Sequence, residues 1–157
     1  MPKSIVIADA ASSDLQLAPI SPDWILSGRP EARNKLLARS HDGTCHLMVW
    51  ECTAGRFNWY YDEDETIVVI AGEVFIATKN DEERRLCRGD TAFFPAGSSC
   101  TWRVVDRVKK VAILRKDLPF PLGFGVRAWH KLLRISGLRS QSPLLSAPAA
   151  AKILQLI

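Results

Sequence analysis

Between Thr44 and Lys116, apolar and polar positions alternate over short distances, in runs rich in Val, Ile, Phe, Trp and Thr. The runs are too brief for helices, and turn signals separate them: Ala54-Gly55, Ala71-Gly72, Lys79-Asn80-Asp81, Arg88-Gly89-Asp90 and Pro95-Ala96-Gly97. This spacing predicts strands over 45–52, 57–61, 66–71, 73–78, 84–87, 91–94, 99–104 and 108–114. Close-set strands with no helix-period segment between them predict an all-β antiparallel sandwich or barrel. They argue against a parallel sheet with crossover helices.

The flanks have a different texture. Residues 1–43 read as an irregular lead-in punctuated by Pro19, Pro22 and Pro30, with a short helical pattern over Glu31–Ser40. After Lys116, Pro119, Pro121, Gly123 and Gly125 preclude a regular helix or central strand. Val126, Trp129, Leu132 and Leu133 then recur at helical spacing, so residues 117–157 read as a basic, partly helical extension of a β domain over 44–116.

Composition narrows the class. At 157 residues and 47% hydrophobic, the chain suits one soluble domain that folds without disulfides or a structural metal. The net charge of +4 is too small to imply nucleic acid. Its distribution is uneven: residues 1–106 hold 11 basic and 16 acidic side chains, and residues 107–157 hold 10 basic side chains against Asp117 alone. A contact between the basic tail and the acidic body, within or between chains, is the expected use of that asymmetry. No helix-turn-helix, RRM or zinc-finger pattern points to nucleic acid. The first twenty residues lack a signal-peptide core, and no apolar stretch approaches the roughly 20 residues of a spanning helix. Cys45, Cys52, Cys87 and Cys100 have no CxxC or zinc-ligand spacing and read as free thiols, which places the chain in the cytoplasm. The runs Asp62-Glu63-Asp64 and Asp81-Glu82-Glu83 read as solvated faces, the second paired with Arg84-Arg85.

The strongest local signal is Gly89-Asp90, a short apolar strand, Pro95-Ala96-Gly97, and then a strand presenting Cys100 and Trp102 on one face. Upstream, Glu65 precedes Gly72 with the apolar run Thr66–Ala71 between them. The two spacings resemble the cupin superfamily of jelly-roll β-barrels, in particular a short-chain subfamily related to ureidoglycine aminohydrolase and ethanolamine-utilisation cupins. Gly89, Pro95 and Gly97 match the second cupin motif, with Cys100 at its histidine position. Glu65 and Gly72 match the first, whose two histidine positions fall on Asn58 and Tyr60.

A typical metal-binding cupin supplies three imidazoles and one carboxylate, and by this register all three imidazoles are replaced. The typical metal site is therefore absent, and the cofactor, if any, is unknown. The resemblance implies a cytoplasmic cupin binding a small organic metabolite in the barrel mouth, lined by Asn58, Tyr60, Glu65, Cys100 and Trp102. The competing reading is an enzyme: a metal-dependent hydrolase or oxygenase with altered ligands, or a metal-free isomerase or epimerase using Glu65 or Tyr60 for proton transfer. Two placements stay open for Glu65, at the mouth in water or inward beside donors such as Tyr60 or Trp102. Cys100 is either a small buried apolar residue or a ligand, and the aromatic residues either core or pocket wall. A homodimer is expected, because small barrels leave sheet edges that pairing can cover.

Overall fold

The computed structural model describes residues 4–79 and 82–116, with positions 124, 125, 128, 129, 131 and 132. The chain divides into two units, residues 1–117 and 118–157. Apart from those six positions, the extension expected over 117–157 lies outside the described residues. The first unit is antiparallel β structure: β1 (Gln16–Leu17), a single 3-10 turn (Pro22–Trp24), β2 (Ile25–Gly28), β3 (Ala32–Arg39), β4 (Cys45–Tyr60), β5 (Asp64–Ala77), β6 (Arg84–Cys87), β7 (Thr91–Phe94) and β8 (Ser99–Arg115).

The long strands β4, β5 and β8 each serve two layers. In the first layer, Cys45–Thr53 of β4 pairs with Arg107–Arg115 of β8 and with β3, and β8 pairs onward with Asp64–Gly72 of β5, whose other neighbour is β7. In the second, Gly55–Tyr60 pairs with Ser99–Val104 and with β2, while Phe75–Ala77 joins β8 to β6. The bends between layers fall at register shifts near Gly55 and Gly72. Gly72 has φ +70°, and a Cβ there would lie 1.9 Å from the Arg107 carbonyl oxygen. Gly55 sits against the Pro30 ring, 2.7 Å from where its Cβ would be. These glycines look like strand-ending turns in sequence, yet each lets one strand fold over and continue. That is why 45–52 and 57–61 merge into one strand, as do 66–71 with 73–78; 99–104 and 108–114 also join as one strand, β8, without a glycine.

Between the layers lies the core, including Trp50, Cys52, Phe57, Tyr61, Ile67, Val69, Val74, Phe94, Trp102 and Val108. The lead-in departs from the irregular segment expected of it. It contributes three strands, and residues 32–39 form β3 rather than a helix. Ala, Leu, Lys and Arg favour helix locally, but a helix of two turns is marginal alone, and the β4 edge offers a full ladder of backbone partners. Lys109 draws the preceding chain down, its Nζ donating to the carbonyls of Ala11 and Ser12.

Two charge assignments also change. Arg85 pairs with Glu73 across the β5–β6 ladder, and Glu83 pairs with Arg103, whose guanidinium lies 4.0 Å from the Phe75 ring centroid. The expected pairing of Arg84-Arg85 with its own acidic run is therefore replaced by pairs to other strands. The basic residues 107–115, counted with the tail by charge, belong to β8.

Candidate functional site

The 95–97 turn holds the interior of one end together. Gly97 N–H donates to the Tyr61 carbonyl at 2.6 Å, Tyr61 N–H to the Ser98 carbonyl at 3.0 Å, and Ala96 N–H to Asp64 Oδ1 at 3.0 Å. Those bonds clamp the β4–β5 connection onto the β7–β8 connection, so Tyr61, Glu65 and Cys100 all face inward. Trp102 Nε1–H donates to Tyr61 Oη at 3.0 Å, and Tyr61 Oη lies 3.5 Å from Cys100 Sγ. An indole N–H can only donate, so the Tyr61 oxygen accepts from Trp102, and either the hydroxyl or the thiol can be the donor between Tyr61 and Cys100. The Tyr61 ring stacks on Phe94, centroids 4.5 Å apart and planes 4° from parallel. Burial raises the Tyr61 hydroxyl far above the usual tyrosine range, with the Cys100 sulfur adding to the effect. Burial likewise raises the Cys100 thiol, and it pushes Cys52 up to about 12.

Deeper in, Glu65 is buried, and its partner is Lys110. Nζ donates to Oε1 at 2.5 Å, with side-chain exposures of 3% and 7% for the lysine and the glutamate. The ammonium also lies over two indoles, 4.5 Å from the Trp102 centroid and 4.9 Å from that of Trp50. Trp50 in turn meets Phe57, Trp59 and Trp102 edge-on. Among the described residues, every buried side-chain nitrogen and oxygen has a hydrogen-bond partner.

The structure divides the five residues assigned to the mouth. Glu65, Cys100 and Trp102 face the interior, whereas Asn58 and Tyr60 face out. Asn58 Oδ1 accepts from Thr101 Oγ1 at 3.0 Å, and Tyr60 is 49% exposed, its ring 5.1 Å from that of Trp24. Strand parity is the reason. Phe57 and Trp59 share the inward face of β4 and Tyr61, the next residue after the strand, continues it, so the side chains between them cannot. Of the two alternative proton-transfer residues, Glu65 is thus buried on Lys110 and Tyr60 lies on the outward face. A small hollow of about 130 Å³ touches Asn58, Tyr60 and Cys100, but neither Glu65 nor Trp102 lines it. The alternation Phe57-Trp59-Tyr61 was the signal for the inward residues, and Val108-Lys110-Ala112 was the signal for Lys110.

A larger opening lies elsewhere. β6 and β7 are edge strands of opposite layers, both beside β5, and the slit between them holds a cavity of about 370 Å³. Ile76, Leu86, Ala92 and Phe94 wall it, with Thr78, Glu82, Arg84 and Thr91 toward the rim. Arg84 pairs with Ile76 in the ladder and so shares its inward face. Among the described residues, Arg84 has no carboxylate within ion-pair distance.

The interior residues do not fit the metal centre of a typical cupin. The inward positions offer an indole at Trp59, a phenol and a thiol that burial keeps protonated at Tyr61 and Cys100, and a carboxylate already on an ammonium. Among the described residues, no three His, Cys, Asp or Glu side chains converge to hold a metal ion.

The fold and this motif geometry define a class: the chain belongs to the cupin superfamily. More narrowly, residues 39–112 match the family model of the EutQ-like cupin domain. Comparison with curated proteins returns no match. Among solved structures, the chain is similar to a protein of unknown function of the DUF861 family from Pseudomonas syringae pv. tomato, with TM-score 0.62 and 24% identity over 68% of this chain and 46% of that one. This chain therefore spans about half the length of that protein. It is also similar to the EutQ protein of Clostridium difficile, with TM-score 0.50 and 19% identity over 63% and 81% of the two chains. A cupin-like protein of Thermotoga maritima gives TM-score 0.50 and 17% identity over 61% and 74%. At these identities the likeness is one of fold. Among the described residues, no helix is long and apolar enough to cross a membrane.

Proposed function

We propose that this cupin binds a small organic acid in the slit between β6 and β7. The observation that carries the reading is Arg84, an arginine on the inward face of an edge strand, beside an apolar cavity and without a carboxylate partner among the described residues. A volume of about 370 Å³ is within the range of small-ligand sites, and an apolar wall with a few polar groups is their usual makeup. A guanidinium at the rim favours a carboxylate, which it can engage with two parallel hydrogen bonds. Glu82 stands on the same rim, so a ligand carrying a hydroxyl or amino donor beside its acid group engages both charges. The ligand class is accordingly a small hydroxy or amino acid with an apolar side chain. The interior supports binding rather than proton transfer, since Glu65 and Tyr61 are buried with their partners and do not line the slit.

A thermal-shift panel of such acids against their matched amides tests this. A ligand at a hundredfold its Kd stabilises by about 2.7 kcal/mol, enough to raise Tm by several degrees. The acids raise Tm, the amides do not, and Arg84→Gln removes the response without changing Tm in ligand-free buffer. A response equal for amides, or one surviving Arg84→Gln, overturns the proposal, as does a panel with no response.

A further inference from the structure

We infer that the Lys110 ammonium takes over the role of the central cation for the glutamate at the cupin motif position, so that this barrel carries its own cation in place of a metal. Glu65 keeps its motif place, inward on β5 and next to Phe94 in the ladder. Removing imidazoles from such a site leaves a buried carboxylate that needs positive charge, since an uncompensated buried charge is costly. Lys110 reaches it from the neighbouring strand β8, its Nζ 2.5 Å from Oε1. An ammonium also suits the rest of the chamber. Two indole faces can solvate a cation without offering lone pairs to a metal, and here they flank the nitrogen at 4.5 and 4.9 Å. The other titratable groups near the pair are Tyr61, Cys100 and Cys52, all held protonated by burial, so none competes for the ammonium. Charge, donors and aromatic walls are thus matched to one resident cation.

The inference is independent of any ligand in the slit. It predicts that shortening Lys110 leaves a chamber for an alkylammonium ion. In Lys110→Ala, butylammonium chloride should raise Tm by several degrees in a saturable way, relative to sodium chloride at equal ionic strength, and should shift tryptophan emission. The wild type and Lys110→Ala/Glu65→Gln should respond to neither. Wild-type protein incubated with zinc, manganese, iron or nickel and desalted should hold no metal that Glu65→Gln releases. A stoichiometric metal lost in Glu65→Gln overturns the inference, and so does a Lys110→Ala protein indifferent to butylammonium. Should that variant fail to fold, Lys110→Met keeps the stem. Lys110→Met/Glu65→Gln must then have a higher Tm than Lys110→Met, and an equal or lower one overturns the inference.

Discussion

The two ends of the interlayer space differ in how they treat charge. Between β4, β5 and β8, Glu65 and Lys110 are sealed under Trp50 and Trp102, and each is the other's counterion. Between β6 and β7, Arg84 stands at an apolar slit without a counterion among the described residues. A buried charge must bring its partner with it, because water cannot supply one. A rim charge can keep its water until a ligand displaces it. The closed end therefore satisfies its own charges, and the open end is the one the proposed ligand would use. The family resemblance alone points the other way, since it draws attention to the motif positions at the closed end.

That contrast can be broken most directly by removing one charge from each end. Glu65→Gln leaves the Lys110 ammonium buried and should cost about 3–5 kcal/mol, read as a lower urea midpoint at unchanged m-value. A loss below about 1 kcal/mol would mean that water reaches the pair. Phe94 belongs to both ends, stacked on Tyr61 and lining the slit. Phe94→Ala should cost about 3 kcal/mol and abolish ligand response, because the slit loses its inner wall. Retained response with lost stability would confine binding to the rim.

The closed end also makes a pH prediction. Cys52, Cys100 and Tyr61 have folded-state pKa values above their ordinary ones of 9.0 for the thiols and 10.0 for the phenol. The folded state holds their protons more tightly than the unfolded state. Their contribution to stability is therefore fully present below about pH 9 and falls as pH rises from there toward 12, which urea midpoints from pH 8 to 12 would register. A flat profile would show that these groups ionise without unfolding. The smallest effect belongs to the open end: Arg84→Gln should change ligand-free stability by no more than about 0.5 kcal/mol. A larger loss would show that Arg84 holds the slit together.

Much of the fold was legible because its signals are local. The strand runs, the Gly89–Pro95–Gly97 spacing and the Glu65–Gly72 spacing each express a turn or a period that neighbouring residues dictate. The candidate site was less legible. Asn58 and Tyr60 came from aligning a motif across the β4–β5 connection, where a one-residue difference in length exchanges the two faces of the strand. Lys110 was counted with a basic tail because charge summed along the chain ignores which face a strand buries. Gly55 and Gly72 read as strand ends because a bend and a turn call for the same residue.

By itself, then, the sequence determined that this chain is an antiparallel β protein of cupin type, that its histidines do not occupy the cupin motif positions, and that Glu65 precedes a buried strand. Those facts follow from residue identity and short-range spacing. Only the tertiary structure decided that Lys110 is the partner of Glu65, that Tyr61 rather than Tyr60 faces inward, that residues 32–39 extend along β4, and that Arg84 looks into a slit. Each of these depends on segments far apart in the chain meeting in one register. Long-range pairing sets which face is dry and which charge has a neighbour, and local propensity carries no information about either.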